Sequence, residues 1–126
     1  MPAYYNNSVY YGPSGATLKQ FKFTNAKLST SAIATSATTF TYPGATPSVS
    51  ANGNSSGIVW AVEHTVTSKL HAYKASSIAT ELYNSHQAAN GRDDFGSASH
   101  FGTPTIVNGK VYVGTTTGVA VFGLLQ

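Results

Sequence analysis

The sequence predicts an all-β protein, and three observations support this prediction. Ser and Thr, with 15 and 16 residues, make up about a quarter of the 126 residues. Short runs rich in Val, Ile, Tyr and Phe are bounded by Gly, Asn and Pro, which is the pattern of strands separated by turns. Pro, Gly, Ser and Thr recur too often for a long helix, and only residues 75–81 suggest a weak helical turn.

The composition excludes several classes of protein. The chain has no Cys, which excludes disulfides, thiol catalysis and cysteine-bound metals. Charged residues make up 9%, and the net charge of +3 comes from basic residues scattered along the chain. Because nucleic-acid binding needs a basic cluster, we expect no nucleic-acid partner. No apolar stretch approaches the ~18 residues of a membrane span, and the first residues do not resemble a signal peptide.

Three segments of the chain repeat one pattern. Each begins with Pro and a short strand, and an Asn-Asn or Asn-Gly turn leads into a strand with a Val-aromatic pair. An aliphatic-x-x-aromatic strand follows. The starting prolines, Pro2, Pro47 and Pro104, lie 45 and 57 residues apart. Pro is tolerated at the first position of a strand, and Asn-Gly closes a tight hairpin. A period of about 40 to 50 residues is typical of a four-stranded β-propeller blade.

The repeats predict one partial propeller, in which the blades follow one another along the chain. The units are blade 1 at residues 2–42, blade 2 at residues 46–84, a long loop at residues 85–102 and blade 3 at residues 103–124. We place the fourth strands of blades 1 and 2 at residues 27–33 and 81–83. Blade 3 stops after three strands. The predicted fold is therefore a partial β-propeller of about three four-stranded antiparallel blades, of which the last is incomplete.

The third repeat resembles that of a known family. Residues 104–114 read Pro-x-x-x-Asn-Gly-x-Val-Tyr-Val-Gly, which is similar to the repeat of pyrroloquinoline-quinone-type β-propellers. Residues 69–73, Lys-Leu-His-Ala-Tyr, resemble the Lys-Leu-Tyr-Ala strand of the same repeat. The resemblance is best over residues 47–125 and looser over residues 1–42. The family includes scaffold proteins, adhesins and assembly factors beside the quinone dehydrogenases, so the resemblance says more about architecture than about chemistry.

The resemblance implies a non-catalytic structural or binding module, secreted or at the cell surface, rather than an enzyme. The dehydrogenases of the family hold their quinone with an adjacent Cys pair and a Trp platform, and they bind calcium nearby. This chain has no Cys and a single Trp, Trp60, so we expect no cofactor. Two alternatives stay open. One is a fragment of a quinoprotein dehydrogenase, and the other is a lectin-like sugar-binding propeller that uses Tyr4, Tyr5 and Tyr11, which we expect to be exposed because the other repeats have no aromatic residue at these positions.

The candidate ligand-binding residues are Glu63, His64, Arg92 and Asp93. In a propeller, the loops between second and third strands and the loops between blades open on one face, so we expect these four residues on one rim. We expect Arg92 to pair with Asp93 and hold the long loop in place. His71 alternates with apolar residues on a strand, which predicts that it packs or faces solvent. The spacing of the acids and histidines predicts neither a catalytic residue nor a metal site.

The repeat also predicts the core and the partners. Tyr10, Trp60 and Tyr112 hold equivalent positions, and we expect them to be buried between adjacent sheets. An arc of three blades leaves two open faces, so we expect a homo-oligomer or the remaining blades of a longer parent as the partner. Head-to-tail packing that fails to close would give a filament. We place the strand at residues 2–5, or a strand from a neighbouring chain, beside residues 119–124.

Overall fold

The computed structural model describes residues 1–123, and it confirms that the chain is all-β. Within these residues, twelve strands form three antiparallel sheets of five, four and three strands. Each sheet is built from strands that are close together in the sequence. Ser85–Gln87 forms a single turn of 3₁₀ helix between the second and third sheets, and Ala89–Gly91 follows it as a turn in which Asn90 has a φ of 58°. The described strands do not close into a barrel.

The first sheet differs from the prediction in its last strands. Its strands are β1 Ala3–Tyr5, β2 Ser8–Tyr11, β3 Ala16–Thr24, β4 Lys27–Leu28 and β5 Ala34–Phe40. Strands β1 to β4 pair in chain order, and β5 also pairs with β3. The fourth strand predicted at residues 27–33 is therefore wrong in extent. The hydroxyl of Ser29 donates to the Ser31 carbonyl and accepts from the Lys22 N–H, and such local bonds compete with strand pairing.

The second sheet has four strands in chain order. They are β6 Ser48–Asn52, β7 Ser55–Glu63, β8 Lys69–Lys74 and β9 Glu81–Asn84. Strand β9 confirms the fourth strand predicted at residues 81–83. The helical turn predicted at residues 75–81 is wrong, because the Lys74 N–H donates to the Thr80 carbonyl and the Ser77 N–H donates to the Lys74 carbonyl. These bonds close a compact turn that returns the chain from β8 to β9.

The third sheet has three strands in chain order. They are β10 Thr105–Val107, β11 Lys110–Gly114 and β12 Val119–Phe122. Residues 3–5 pair with β2, and among the described residues β12 pairs only with β11, so the expectation that this chain's own N-terminal strand lies beside residues 119–124 is wrong. The two-residue turn at Asn6 and Asn7 closes this hairpin locally, and a short loop costs little closure entropy. Residue 124 of the expected pairing lies outside the described residues, and pairing with a neighbouring chain stays a prediction.

The hairpin turns have the backbone geometry that their residues predict. Asn6 and Asn7 have φ angles of 44° and 58°, and Asn108 and Gly109 have φ angles of 49° and 71°. Positive φ at both central residues defines the type I′ turn, whose twist matches that of the flanking strands. Asn and Gly adopt this conformation at low cost. The turn residues therefore fix the register of the first strand pair in the first and third sheets.

The second sheet lies between the other two, and a separate apolar cluster fills each interface. The cluster between the first and second sheets contains Tyr10, Leu18, Phe40, Ala45, Val59, Ala61, Tyr73, Ala75 and Ile78. The cluster between the second and third sheets contains Val62, Leu70, Ala98, Val111 and Val113, with Trp60, Phe95, Ile106, Ala120 and Phe122 packed against it. Successive side chains of a strand point to opposite faces, so the middle sheet contributes to both clusters.

The three equivalent aromatic residues are not equally buried. Tyr10 is fully buried, as predicted. Trp60 and Tyr112 are half-buried, so that part of the prediction is wrong. Trp60 packs against the second cluster, and its indole N–H donates to the Ser50 hydroxyl at 2.8 Å. Tyr112 lies on the far face of the third sheet, against which no other sheet of residues 1–123 packs. The burial of this position therefore depends on whether another sheet follows.

Candidate functional site

The sheets stack through faces that are equivalent in the repeat. We call the face that carries Tyr10, Trp60 or Tyr112 the forward face of its sheet, and the opposite face the rear face. Tyr10 lies in the cluster shared with the second sheet, and Trp60 packs against the cluster shared with the third. The rear faces that meet them carry Val59 in the second sheet and Val111 in the third. Each internal interface therefore joins a forward face to the rear face of the next sheet.

One forward face has no sheet against it among the described residues. The apolar residues of this open forward face are Val107, Tyr112, Val119 and Val121 of the third sheet, which share one face by strand register with Thr105 and Lys110. The three valines are 48%, 64% and 53% exposed. Four neighbouring apolar side chains that stay accessible to water form the kind of patch that marks an interaction site.

One rear face is open in the same way. The aromatic and apolar residues of this open rear face are Tyr4, Val9, Tyr11, Phe21 and Phe23 of the first sheet, with Lys19 beside Tyr11. Tyr4 and Tyr11 are 59% and 46% exposed, as the sequence predicted for them. The rings of Tyr4 and Phe23 pack edge to face with centroids 5.9 Å apart, a favourable arrangement of two aromatic rings. The open rear face is thus an ordered aromatic surface.

The four residues predicted to bind a ligand fall into three separate groups of contacts. Glu63 ends β7 and contacts His71 of β8. His64 packs on His100, and Arg92 and Asp93 bind each other in the connector between the second and third sheets. In the described part of the chain, no hydrogen bond or ion pair joins these groups to one another. The contacts do not test whether the groups share a rim, which stays a prediction.

Glu63 belongs to a cluster of ionisable side chains that the sequence did not predict. His71 is only 2% exposed, and its ring lies between two carboxylates. Its Nδ1 lies 2.5 Å from Glu81 Oε1, and its Nε2 lies 3.1 Å from Glu63 Oε2. Lys69 Nζ lies 3.3 Å from the same oxygen of Glu63. Burial opposes ionisation of Glu63, but the hydrogen bond from His71 and the charge of Lys69 outweigh it and lower the pKa of the carboxyl group.

Strand register brings this cluster together. Glu63 pairs with Lys69 across β7 and β8, while Glu81 lies on β9, beyond His71. Carboxylate oxygens accept hydrogen bonds, and each ring nitrogen of His71 faces one such oxygen. The ring also stacks on Tyr73, with an interplanar angle of 6° and a centroid distance of 5.7 Å. The cluster therefore ties three adjacent strands together at the interface with the first sheet.

His64 belongs to an aromatic group at the ends of the sheets. It is buried, and its ring centroid lies 5.7 Å from that of His100. Burial and the neighbouring His100 lower the pKa of His64. Tyr42 and Phe101 pack edge to face beside this pair and are 67% and 68% exposed. The buried His64 ring and the two exposed rings therefore form one aromatic group, of which Tyr42 and Phe101 are accessible to solvent.

The long connector between the second and third sheets contains the ion pair of Arg92 with Asp93 that the sequence predicted. Arg92 Nε and Nη2 donate to the two oxygens of Asp93 at 2.7 and 2.9 Å, a bidentate geometry. The hydroxyl of Tyr83 on β9 donates to Asp93 at 2.5 Å. The Phe95 ring packs edge to face on Phe122 of the third sheet, with a centroid distance of 5.6 Å. These contacts attach the connector to the sheets on both sides of it.

The ionised state of Asp93 links the connector to pH. Hydrogen bonds from Arg92 and Tyr83 lower the pKa of Asp93 from 3.8 to about 2. A lowered pKa in the folded state stabilises the protein above the unfolded value, and that contribution is lost as the pH falls through the folded value. We therefore expect the thermal midpoint to drop between about pH 4 and pH 2, and to drop less in Asp93→Asn.

The control for this prediction is the neighbouring carboxylate. Asp94 lies 3.7 Å from His86 and is 44% exposed, and it makes no bidentate pair. Asp94→Asn should keep the acid-dependent drop of the unmodified chain. Glu63, whose pKa is also lowered, contributes in the same direction, so a partial drop should remain in Asp93→Asn. Identical midpoint curves for Asp93→Asn and the unmodified chain would contradict the role given to Asp93.

The charged groups are engaged with one another rather than arranged around a shared ligand. Glu63 and Glu81 contact opposite nitrogens of one imidazole, and Asp93 is satisfied by Arg92 and Tyr83. Within residues 1–123, no three His, Asp or Glu side chains converge in a geometry that could hold a metal ion. The contacts of these carboxylates therefore stabilise strands and connectors.

The fold and its open faces define an all-β chain of three stacked sheets with an apolar surface at each end of the stack. No protein-family model, curated protein or solved structure matches the chain. The resemblance to pyrroloquinoline-quinone-type propellers therefore stays a prediction drawn from the repeat. No helix in the described part of the chain is long and apolar enough to cross a membrane.

Proposed function

We propose that this chain is a non-catalytic structural module, a partial β-propeller of about three blades whose open faces are covered by further copies of the chain. One observation carries the proposal. The two faces left open are the same repeat positions that the chain already buries at its two internal interfaces. A second copy can therefore extend the stack without a new kind of contact.

The residue types on the open faces support this proposal. At the first internal interface, Tyr10 and Val59 lie in one buried cluster. Tyr112 of the open forward face holds the position of Tyr10 in the repeat. Val9 of the open rear face holds the position of Val59. A copy whose Val9 strand packs on Tyr112 would therefore repeat the internal contact, as a head-to-tail interface.

The energetics favour covering both faces. Burying an exposed valine side chain fully is worth about 1.5 to 3 kcal/mol, and the open forward face carries Val107, Val119 and Val121. Repeat proteins are stabilised mainly by contacts between neighbouring units, so end units without neighbours are the least stable part. Two copies that close on each other would give a ring of six sheets, and copies that do not close would give a filament.

The mass of the chain in solution tests the proposal. We expect sedimentation equilibrium at micromolar concentration to show multiples of the 13.1 kDa chain mass. Val121→Lys places a charge beside Tyr112 on the open forward face and should reduce the species to 13.1 kDa, because an unpaired charge at a buried interface is strongly unfavourable. Val66→Lys is the matched control. Val66 is 91% exposed in the loop between β7 and β8, away from both faces, so this variant should keep the assembly.

Two results would overturn the proposed assembly. One is a folded 13.1 kDa species of the unmodified chain across the micromolar range. The other is an assembly that survives Val121→Lys while Val66→Lys dissolves it, which would place the interface at the loop. The unmodified chain could also be monomeric and yet bind the other blades of a longer parent protein when these are produced as a separate polypeptide. In that case the open faces are covered by those blades and not by a second copy of the chain.

A further inference from the structure

A cleft opens between the first and second sheets, at the end where the β1–β2 and β6–β7 hairpins turn. Its volume is about 300 Å³, at the lower end of the range for small-molecule sites. The polar residues that line its mouth come from both sheets: Asn6, Lys22, Asn54, Ser56, Lys74 and Ser76. This cleft is distinct from the open faces and from the predicted residues around Glu63.

The floor of the cleft is polar and internally hydrogen-bonded. Gln20 is 2% exposed, and its amide donates to the Ser8 hydroxyl at 3.1 Å and to the Ala75 carbonyl at 3.2 Å. The side-chain Oε1 of Gln20 accepts from the Ile78 N–H at 3.3 Å, and the Tyr10 hydroxyl donates to the Ala75 backbone carbonyl at 2.6 Å. This network joins the two sheets across the floor, so the cleft is built into the packing and does not depend on a mobile loop.

One wall of the cleft is the Tyr5 ring, which is placed there by its close approach to Gly57. Tyr5 crosses from the first sheet to pack on Gly57 of β7, where a Cβ atom would lie 2.5 Å from the Tyr5 ring. Only a residue without a side chain permits this approach. Tyr5, which the sequence placed among the exposed tyrosines, is instead half-buried against the first cluster, so that expectation is wrong. Its ring closes one side of the cleft.

The charge of the cleft is positive. Lys22 and Lys74 line it, and none of the four acidic residues of the chain does. The ion pairs of residues 1–123 use other cations, so neither lysine has an acidic partner. Two ammonium groups without an anion in a concave site attract a negatively charged group, and lysine binds carboxylate or phosphate as a point charge.

We propose that this cleft binds a sugar that carries an anionic group. Lys22 and Lys74 supply the charge for a carboxylate or phosphate. Asn6, Asn54 and Ser56 supply the donors and acceptors that hydroxyl groups require. The cleft lies within one chain, so the proposal is independent of the assembly proposed above, and each can fail without the other.

Isothermal titration with four probes tests the proposal. The probes are glucuronate, glucose 6-phosphate, glucose and inorganic phosphate. We expect binding of glucuronate, glucose 6-phosphate or both, and the one that binds identifies the anionic group as a carboxylate or a phosphate. Glucose and inorganic phosphate should each bind at least about tenfold more weakly, because each makes only part of the contacts.

Two double variants of equal charge locate the site. Lys22→Gln with Lys74→Gln should weaken binding of the anionic sugar by at least about tenfold. Lys27→Gln with Lys110→Gln removes the same charge outside the cleft and should leave the affinity within about twofold. Circular dichroism should be used to check that both variants are folded. Lys22→Arg with Lys74→Arg keeps the charge and should retain binding.

Four results would overturn the proposal. They are no binding of either anionic sugar at concentrations up to about 10 mM, equal binding of glucose, equal binding of inorganic phosphate, and equal weakening by the two double glutamine variants. The second would remove the role of the charge, and the third would remove the role of the hydroxyl contacts. The fourth would show that net charge alone attracts the ligand.

Discussion

Tyr10→Ala is expected to lower the free energy of unfolding by about 3 to 5 kcal/mol, the usual cost of removing a large aromatic side chain from a core. Tyr10 is fully buried between the first two sheets, and its hydroxyl donates to the Ala75 carbonyl. Burial raises the pKa of Tyr10, so the hydroxyl stays protonated and donates at any physiological pH. Urea denaturation measures the change, with all variants at one protein concentration because association would couple to stability.

Two further variants separate the contributions at this position. Tyr10→Phe keeps the ring and should cost only about 1 kcal/mol, the usual value of one hydrogen bond. The cost is small because the Ala75 carbonyl still accepts a hydrogen bond from the Gln20 amide. Tyr42→Ala removes a ring that is 67% exposed and should cost clearly less than Tyr10→Ala. Equal losses for Tyr10→Ala and Tyr42→Ala would show that the first cluster is not the core of the stack.

His71→Ala is expected to cost about 3 kcal/mol, at the lower end of the range for removing a large buried ring from a core. The substitution leaves the carboxylates of Glu63 and Glu81 without the ring that separates them, and it removes the stacking on Tyr73. The lower end applies because the Glu81 side chain is 35% exposed and stays partly solvated. Urea denaturation again measures the change.

The controls for this prediction use another histidine and a paired substitution. His86 lies 3.7 Å from Asp94 on the surface, so His86→Ala should change the free energy of unfolding by less than about 1 kcal/mol. Adding Glu81→Gln to His71→Ala should recover part of the loss, because it removes one of the two like charges. Strictly additive losses for the two substitutions would mean that His71 acts only by its packing.

The strands and turns were predictable because their signals are local. Asn6, Asn7 and Asn108 have the positive φ that Asn favours in tight hairpins, and β9 lies where the second repeat placed a fourth strand. The last strand of the first sheet was misplaced because Ser29 bonds to nearby backbone groups, a choice that depends on side-chain geometry. Trp60 was expected to be fully buried and is half-buried. A repeat position determines which face a side chain lies on, but it does not determine how much of a large ring the neighbouring sheet covers.

The chemistry of the molecule was less predictable than its strands. The ion pair of Arg92 with Asp93 was foreseen because the residues are adjacent in the sequence. The cluster around His71 was not, because Glu63 and Glu81 lie 8 and 10 residues away and meet it only through strand register. The alternation of Leu70, His71 and Ala72 left open whether the histidine packs or faces solvent, and it gave no sign of its partners. Pairing β7 with β8 residue by residue was the signal that could have found them.

The order of the strands has a consequence for how the chain folds. Most strands pair with their immediate neighbour in the sequence. The exception is β5, which pairs with β3, and the strand between them in the sequence, β4, has only two residues. Loop closure becomes costlier as the loop lengthens, so these short-range pairings carry a small entropic barrier for an all-β protein. Each sheet can thus form from its own segment before it meets the others. We therefore expect docking of the sheets through the clusters around Tyr10 and Leu70 to be the slow step of folding, so that substitutions in these clusters change the folding rate more than substitutions in the hairpin turns.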